Sequence, residues 1–399
     1  MRVALVCGTY DPTSDGVADY VRRLAQELRA GGTDVVVAAR QAGAVGDGTA
    51  GTGEPAVVAV TPRWSLRHLR GTARGLDDLR ADLVHVQFAP SAFGYSPAVG
   101  WLPALLRTPV VTTLHEYGWW SYPGWVPDPV WDRLERGGRF DRETALLGPR
   151  SRALVVTNPG HAGTVASRLG RRPDVVPIGP NVPGPGPDAA GAAARVRARY
   201  EVPAGVPLLV FFGFVHPVKG VRELADAVGL LRDGGRDVHV VVAGGFASLA
   251  LPGAEADSFR REVEERIARA RVGDRFRLTG WVDGSEVSEL LSAADAVVLP
   301  FTHGVTTKSG SLLAALAHGR PVLATAADDP DPELADGGTV LTIARRRDPG
   351  AIADAIRRLL DDPAGAARAA AAGAALAATR DWPMIAAAHA DLYARVLGR

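Results

Sequence analysis

The chain has 399 residues, of which 47% are hydrophobic and 22% are charged. This composition is ordinary for a folded protein, and the length suits two domains of about 180 residues each. The formal net charge of +1 gives no general attraction to nucleic acid or acidic polymers, and the single cysteine, Cys7, excludes an intramolecular disulfide framework and a cysteine-rich zinc site.

The N-terminus begins with Met1 and Arg2 and continues into a short apolar run, which is not the pattern of a signal peptide. No apolar stretch of the sequence reaches the roughly 18 to 20 residues that are needed to cross a bilayer. We therefore expect a cytoplasmic protein.

The first half alternates short apolar runs with amphipathic helical patterns. Continuous apolar runs are typical of strands that are buried on both faces of a parallel sheet. They occur at Val3–Cys7, Val35–Ala39, Val57–Val60, Leu83–Phe88, Val110–Leu114, Ala153–Val156 and Val175–Ile178. Between the first two runs, Val17–Arg29 places apolar side chains on one face at helical spacing. The pattern predicts an α/β domain with helices on both faces of a parallel sheet.

The second half repeats this architecture. Its predicted strands are Leu208–Phe212, Val238–Ala243, Phe276–Thr279, Ala296–Leu299 and Val322–Ala324. Alternating Pro and Gly across Asn181–Asp188 cannot sustain helix or sheet, so this stretch is the predicted linker. A connecting helix, Ala189–Tyr200, is predicted to follow it. An Ala-rich surface helix is predicted at Pro363–Thr379, and a closing helix at Asp381–Leu397.

The stretch from Pro300 to Thr325 is the most informative one, because a Gly/Ser/Lys turn and a short apolar helix separate two predicted strands. Lys308 precedes Ser309, Gly310 and Ser311 at the start of that helix. This arrangement gathers a cation, two hydroxyls and unpaired backbone N–H groups around one point, which suits a phosphate or diphosphate. Plain capping of the helix by a serine is the alternative, and both roles can share one helix end.

Several short motifs, in their order and spacing, resemble those of the GT-B glycosyltransferases of retaining family 4. They lie at residues 15–18, 113–116, 177–181, 213–220, 278–282, 293–300 and 317–322. The resemblance implies two Rossmann-like domains whose parallel sheets face each other across a cleft. It assigns residues 1–182 and 381–399 to an N-terminal acceptor-binding domain, to which the C-terminal helix returns. Residues 183–380 become the nucleotide-sugar-binding domain.

The resemblance implies that Lys219, at the opening of the predicted helix Val221–Leu231, holds the donor diphosphate. Departure of a nucleoside diphosphate builds up negative charge, which a fixed cation stabilises. An arginine that is usual just after the first strand of this domain is missing, and Phe214 lies in its neighbourhood. We hypothesise that Lys308 replaces that arginine. A solvated surface lysine is the alternative for Lys219.

Two glutamates that are usual in the family are also missing, since their positions hold Thr306 and Ala314. The ribose thereby loses its usual acceptor, so UDP is favoured as the nucleotide only on family frequency, and dTDP is possible. The resemblance implies that backbone groups near Trp281 hold the base. The alternative for Trp281 is that its side chain belongs to the hydrophobic core. The expected donor-binding residues are Gly16, Phe214, Lys219, Trp281, Val282, Thr306, Lys308, Ser309, Gly310 and Ser311.

His115 follows a predicted strand, where ligands bind in open α/β domains, and the resemblance places it against the donor sugar. The expected catalytic residues are His115, Lys219 and, by the hypothesis above, Lys308. The expected acceptor-binding residues are Asp15, Glu116, Trp119 and Trp120. The alternatives are a structural role for His115, capping by Asp15, and hydrophobic packing of the tryptophan-rich segment.

The resemblance implies transfer of a glycosyl group from a nucleoside-diphosphate donor to an acceptor hydroxyl with anomeric retention. The leaving diphosphate oxygen is expected to receive the acceptor proton, without a metal or other cofactor. Closure of the two domains about the linker is expected to exclude water.

Two alternatives come from other functional classes. One is a noncatalytic nucleotide-sugar-binding partner protein, and the other is an epimerase or phosphorylase of the same fold. The basic segment Arg63–Arg70 suits either an anionic membrane surface or, more simply, a solvated crossover helix. We expect no nucleic-acid partner and do not favour membrane association.

Overall fold

The computed structural model describes residues 1–13, 15–40, 54–182, 184–186, 189–246, 251 and 253–399. These residues form two compact units, one of Met1–Ile178 with Trp382–Arg399 and one of Gly179–Asp381. Residues 183, 187 and 188 of the predicted linker lie outside the described residues. Within the described ranges, no helix combines the length and the apolar character that spanning a bilayer requires.

The first unit is built on one parallel sheet of seven strands. The strands are β1 (Arg2–Val6), β2 (Asp34–Arg40), β3 (Ala56–Thr61), β4 (Leu83–Phe88), β5 (Val110–Leu114), β6 (Ala153–Val156) and β7 (Asp174–Val175). Their order across the sheet is β3-β2-β1-β4-β5-β6-β7, so it reverses between β1 and β4. In open α/β sheets, ligands bind beyond the carboxyl ends of the strands near such a reversal.

Helices cover both faces of this sheet. They are α1 (Gly16–Ala30), α2 (Leu69–Asp78), α3 (Asp128–Glu135), α4 (Leu147–Arg150), α5 (Pro159–Leu169) and the C-terminal helix (Trp382–Leu397). Val3 and Leu5 of β1 pack in one core with α1 and the C-terminal helix, whereas Ala4 and Val6 belong to the core on the other face. This two-sided burial explains why the strands are continuous apolar runs in the sequence.

Buried polar contacts fix the C-terminal helix to the first unit. The hydroxyl of Tyr393 lies 2.7 Å from Nδ1 of His85 on β4, and Nε2 of His85 lies 2.8 Å from Oγ1 of Thr113 on β5. Burial lowers the pKa of His85 well below its ordinary value, so the ring is neutral. Both ring nitrogens of this fully buried histidine therefore have partners, as buried polar groups require.

The second unit is built on a parallel sheet of six strands. They are β8 (Leu208–Phe212), β9 (His239–Ala243), β10 (Phe276–Gly280), β11 (Ala296–Leu299), β12 (Val322–Thr325) and β13 (Leu341–Ile343). The order is β10-β9-β8-β11-β12-β13, which reverses between β8 and β11. The helices are α6 (Ala189–Arg199), α7 (Val221–Asp233), α8 (Gly253–Arg269), α9 (Gly284–Ala293), α10 (Gly310–Ala317), α11 (Pro349–Asp361) and α12 (Pro363–Ala378).

Three details differ from the sequence-based expectations. The strand predicted at Val175–Ile178 is wrong beyond Val175, because Pro177 has no N–H with which to continue the ladder. The helix predicted at Arg63–Arg70 is wrong over most of its length, since α2 begins only at Leu69. Trp64 instead lies buried, and its Nε1 donates a hydrogen bond to the carbonyl of Gly8 at 2.7 Å. The three-residue strand β13 was too short to be predicted.

Candidate active site

The loop after β8 carries Lys219 to the point where the strand order of the second unit reverses. Val215 N donates to Gly245 O at 2.9 Å, and a 3-10 turn then ends at Lys219. Gly220 follows with a φ of +72°, and a Cβ at this position would lie 2.0 Å from the carbonyl oxygen of Pro300. A glycine is therefore required at position 220 for the loop that carries Lys219 to approach the segment that follows β11.

The ammonium of Lys219 lies above an aromatic ring of that segment. Its Nζ is 3.6 Å from the centre of the Phe301 ring, within the range of a cation–π interaction. Burial lowers the pKa of Lys219 to about 8. The side chain is therefore mostly charged at neutral pH but poorly hydrated, and such a cation attracts an approaching anion more strongly than a solvated lysine does.

Lys308 lies in a turn that leads directly into α10. Ser309 N donates to Thr306 O at 2.9 Å, and Oγ of Ser309 accepts a hydrogen bond from Leu312 N at 3.3 Å as the N-cap. The helix begins at Gly310, as the sequence predicts. The positive end of the helix dipole and its first N–H groups thus follow Lys308 within two residues.

Asp331 fixes this turn, and sequence reasoning missed it. Its Oδ2 accepts hydrogen bonds from both the backbone N of Thr307, at 2.6 Å, and the hydroxyl of the same residue, at 2.9 Å. The aspartate belongs to the loop after β12, 24 residues away in sequence. No local pattern in the sequence links two loops at that separation, so only the fold reveals the contact.

The start of α10 packs against the end of β8. Gly213, the first residue after β8, has a φ of +133°, and a Cβ there would lie 2.6 Å from Oγ of Ser311. A Cβ on Gly310 would lie 3.0 Å from Cγ of Asn181. The half-buried Phe214 follows Gly213. The structure therefore brings the predicted donor-binding residues 214, 310 and 311 to one edge of the second sheet.

Trp281 and Val282 follow β10 at the same edge. Trp281 is 59% exposed, so the alternative that it is a core residue is wrong. A Cβ built on Gly245 would lie 3.5 Å from the Cβ of Trp281. Val282 is half-buried against the core. Of the two positions that lack the usual glutamates, Thr306 is half-buried in the Lys308 turn, whereas Ala314 is fully buried in the core.

In the first unit, Asp15 and Gly16 open α1 near the reversal of the strand order. Oδ1 of Asp15 accepts a hydrogen bond from Val17 N at 3.0 Å, so the predicted capping role is confirmed. Burial, chiefly, raises the pKa of Asp15 to about 6, and the charges of Asp11 and Glu116 add to the rise. A Cβ built on Gly16 would meet nothing within 4 Å, so the backbone there is open to close approach.

His115 is the first residue after β5. Its backbone N donates to Phe88 O at 2.9 Å, and Nε2 of its ring lies 2.9 Å from Oε1 of Gln87 on the neighbouring strand. The ring also meets that of Tyr20 edge to face, with centroids 4.8 Å apart. Glu116 follows and is half-buried. Sequence reasoning missed Gln87, because its pairing with His115 depends on the order and register of two strands.

The tryptophan-rich segment after Glu116 is only partly packed. Trp119 is 60% exposed and Trp125 is 82% exposed, whereas Trp131 is buried. Trp120 is half-buried and stacks on Tyr122, with centroids 6.0 Å apart. The segment is therefore packed in part, at Trp131, and presents aromatic faces to solvent at Trp119 and Trp125.

A buried carboxylate anchors the start of this segment. Both oxygens of Glu143 accept hydrogen bonds from Gly118 N, at 2.8 and 3.0 Å, and the guanidinium of Arg168 pairs with the same carboxylate. Burial, chiefly, raises the pKa of Glu143 to about 7. The aromatic residues after Gly118 thus project from a point that is fixed to α5.

The predicted site residues form two groups, one in each unit. The first unit holds Asp15, Gly16, His115, Glu116, Trp119 and Trp120, and the second holds Phe214, Lys219, Trp281, Val282, Thr306, Lys308, Ser309, Gly310 and Ser311. Both groups follow strands at the carboxyl edge of their sheet. Lys219 and Lys308 are the only lysines in the whole sequence, a signal that sequence reasoning overlooked.

Two family profiles match the chain. The profile described as glycosyl transferases group 1 matches residues 206–362, and the profile described as a glycosyl transferase 4-like domain matches residues 15–181. The two matches fall on the second and the first unit, respectively. Together they cover the loops that carry all the predicted site residues.

Two relatives with named activities are similar over much of the chain. The D-inositol 3-phosphate glycosyltransferase of Corynebacterium glutamicum is 31% identical over 78% of this chain and 72% of its own. The 2-deoxystreptamine glucosyltransferase of Streptomyces kanamyceticus is 29% identical over 63% of this chain, a match that spans 62% of that relative. Among solved structures, Anabaena HepE in complex with UDP-glucose shares the fold, with a TM-score of 0.75 at 17% identity, over 99% of this chain and 100% of that one.

Proposed function

Because this chain belongs to the group 1 glycosyl transferases and is a transferase of the GT-B fold, we propose that it moves a sugar from a nucleoside-diphosphate donor to an acceptor hydroxyl with retention of anomeric configuration. One observation carries this proposal. The only two lysines of the sequence lie in two loops at the carboxyl edge of the second sheet, one after β8 and one before α10. Such an edge is where open α/β sheets bind nucleotides.

The donor diphosphate would bind to this edge. Lys219 supplies a desolvated cation, and Lys308 supplies a second one next to the first turn of α10. The hydroxyls of Ser309 and Ser311 and the backbone N–H of Gly310 are hydrogen-bond donors to phosphate oxygens. Such groups stabilise the charge that develops on a leaving diphosphate without needing to reorganise during the reaction.

The nucleotide is proposed to be UDP, with dTDP as the second choice. The solved neighbour from Anabaena binds UDP-glucose, which supports a uridine donor by fold similarity. We assign the exposed Trp281 and the adjacent Val282 to the base, and the half-buried Phe214 and Thr306 to the phosphates and the sugar. Because Ala314 offers no hydrogen-bonding group to a ribose, discrimination between the two nucleotides is expected to be weak.

The first unit is proposed to hold the acceptor and the reacting sugar. His115 is assigned to the donor sugar, with Gly16 allowing close approach of the first loop. Asp15 and Glu116 are assigned to acceptor hydroxyls, and the exposed Trp119 with the half-buried Trp120 to the flat face of the acceptor. The named activities of the two relatives, on D-inositol 3-phosphate and 2-deoxystreptamine, make ring-shaped polyols the first acceptors to test.

In the proposed reaction, the bond between the anomeric carbon and the diphosphate oxygen breaks while the acceptor oxygen bonds to that carbon on the same face. The acceptor proton passes to the departing diphosphate oxygen, so no side chain is needed as a general base. The two lysines stabilise the departing dianion, and His115 orients the sugar. No metal or other cofactor is part of this proposal.

A donor-hydrolysis and transfer assay tests the proposal. The purified protein is incubated with UDP-glucose or dTDP-glucose, alone and with inositol phosphate or 2-deoxystreptamine, and nucleotide release is measured. We expect slow release with the donor alone and faster release with an accepted polyol, whose product keeps the α configuration by NMR. Binding of a nucleotide sugar without any release would contradict the proposal and support a noncatalytic binding protein.

A further inference from the structure

A group of polar side chains lies on one buried face of β4 and β5 in the first sheet. Successive residues of a strand point to opposite faces, so His85 and Gln87 of β4 lie on one face, and Thr113 of β5 shares that face. His115 follows Thr113 by two residues, just beyond the end of β5. Gln87 is paired in register with Thr113 and is fully buried. Burying an amide in a hydrophobic sheet costs free energy unless the amide has a hydrogen-bond partner. The presence of Gln87 at this position therefore needs an explanation.

The partner of Gln87 is the imidazole of His115. Its Oε1 lies 2.9 Å from Nε2 of His115, and a carbonyl oxygen can only accept a hydrogen bond. Nε2 therefore carries a hydrogen, and in the neutral ring the lone pair resides on Nδ1. Tyr20 meets the ring edge to face, and the backbone N of His115 is bonded to Phe88 O, so the ring is constrained in plane as well as in tautomer.

We propose that Gln87 is a positioning residue that holds His115 in the Nε2–H tautomer. The inference rests on the role proposed for His115 above. With the hydrogen on Nε2, the other ring nitrogen, Nδ1, is a hydrogen-bond acceptor rather than a donor. Reversal of the tautomer would put a donor where an acceptor is needed, and catalysis would suffer although the ring stayed in place.

Two other groups that face His115 carry no charge. Tyr20 on α1 is neutral, because burial raises the pKa of its hydroxyl, and His85 on β4 is neutral, because burial lowers the pKa of its ring. Asp15 and Glu116 are the acidic groups close by, at the start of α1 and next to His115 in the chain. Gln87 contacts Nε2 of His115 through a direct hydrogen bond.

Nitrogen-15 NMR of histidine-labelled protein tests the tautomer without any turnover. The His115 signals are assigned by comparison with the His115→Gln variant. We expect the Nε2–H pattern in the wild type and a mixed or reversed pattern in Gln87→Met, which keeps the volume but removes the acceptor. An Nδ1–H pattern in the wild type, or an unchanged pattern in Gln87→Met, would overturn the proposal.

Kinetics then separate positioning from general structural support. Gln87→Met is expected to lower kcat about tenfold with less than a twofold change in the KM for the donor. Gln87→Glu keeps an acceptor but adds a charge that favours the imidazolium, so the acid limb of its pH–rate profile should move up by about one pH unit or more. An unmoved acid limb in Gln87→Glu would count against the proposal.

Thr112→Val is the matched control. Thr112 is fully buried on β5, and its Oγ1 lies 2.8 Å from Oγ of Ser151, so the variant also loses a buried hydrogen bond of the same sheet. It should reduce stability while leaving the His115 tautomer and the pH profile unchanged. Normal turnover in His115→Ala would overturn the proposed role of His115, whereas the NMR pattern tests Gln87 by itself.

Discussion

The ammonium of Lys219 lies 3.6 Å above the ring of Phe301, which joins the loop after β8 to the segment after β11 at the reversal of the second sheet. This contact holds a half-buried cation at an edge where open α/β sheets bind ligands. The ring replaces part of the hydration that the ammonium loses, so the charge persists in a poorly solvated place. An anion that reaches this edge would meet a cation that is already partly desolvated.

The burial of Lys219 predicts a pH dependence. Its pKa is lowered to about 8, so the ammonium is charged below that pH and loses its charge as the pH rises through it. We expect kcat/KM for the donor to fall on the alkaline side with an apparent pKa near 8. In Lys219→Arg the charge persists, so the alkaline fall should move beyond pH 10. An identical alkaline limb in both proteins would show that another group titrates.

Removing Lys308 should weaken donor binding. We expect Lys308→Ala to raise the Kd for UDP by about tenfold or more, which corresponds to the loss of one charge-assisted contact to phosphate of about 1.4 kcal/mol. Lys308→Arg is the matched variant and should keep most of the affinity. Calorimetry with UDP measures both. Wild-type affinity in Lys308→Ala would show that this lysine does not replace the missing arginine.

Gly213 should tolerate no side chain. Gly213→Ala combines a strained φ of +133° with a Cβ only 2.6 Å from Oγ of Ser311, so we expect a loss of unfolding free energy of about 1 to 3 kcal/mol and weaker UDP binding. Gly235→Ala is the control, since its φ of +76° brings backbone strain but its Cβ would meet nothing within 4 Å. The control should lose some stability and keep its affinity for UDP.

The charged carboxylate of Asp15 should lower the free energy of unfolding at neutral pH. The pKa of Asp15 is raised to about 6 in the folded state, so the folded protein holds this proton more tightly than the unfolded chain does. The free energy of unfolding therefore decreases as the pH rises from the pKa of the unfolded state to about 6. Asp15→Asn keeps an N-cap without the charge. We expect it to stabilise the protein by about 1 kcal/mol at pH 7.5 and to have little effect at pH 4, measured by urea unfolding. Equal effects at both pH values would contradict the assignment.

His115→Ala is expected to lower kcat at least about tenfold, or about 1.4 kcal/mol, because the ring is assigned to the transition state rather than to ground-state binding. Its thermal stability should be compared with that of Gln87→Met, which disturbs the same contact. A variant that folds, binds UDP and turns over at the wild-type rate would remove His115 from the mechanism.

Local patterns in the sequence predicted most of the fold. Val110–Leu114, Ala153–Val156, Leu208–Phe212 and Ala296–Leu299 are strands with the predicted bounds, because buried parallel strands are continuous apolar runs. Such patterns did not predict β13, which has only three residues. They also did not predict the start of α2 at Leu69, because Trp64, expected in a helix, lies buried before the helix begins.

The candidate site was less predictable, because its contacts join distant parts of the chain. The start of α10 and its serine cap follow from the local pattern Lys-Ser-Gly-Ser. The hydrogen bonds of Asp331 to Thr307 and of Gln87 to His115 cross between loops or strands 24 and 28 residues apart. Pairs at that separation appear only once the strand order and register are known.

The most direct test of the central claim uses the scarcity of lysine. Protein labelled with carbon-13 at the lysine ε position gives two signals, from Lys219 and Lys308, which the Lys→Arg variants assign. On titration with UDP, both signals should shift with the same saturation curve, and the pKa of Lys219 should rise from about 8 as the diphosphate binds. Saturable binding of UDP that leaves either signal unmoved would contradict a diphosphate site built on both lysines.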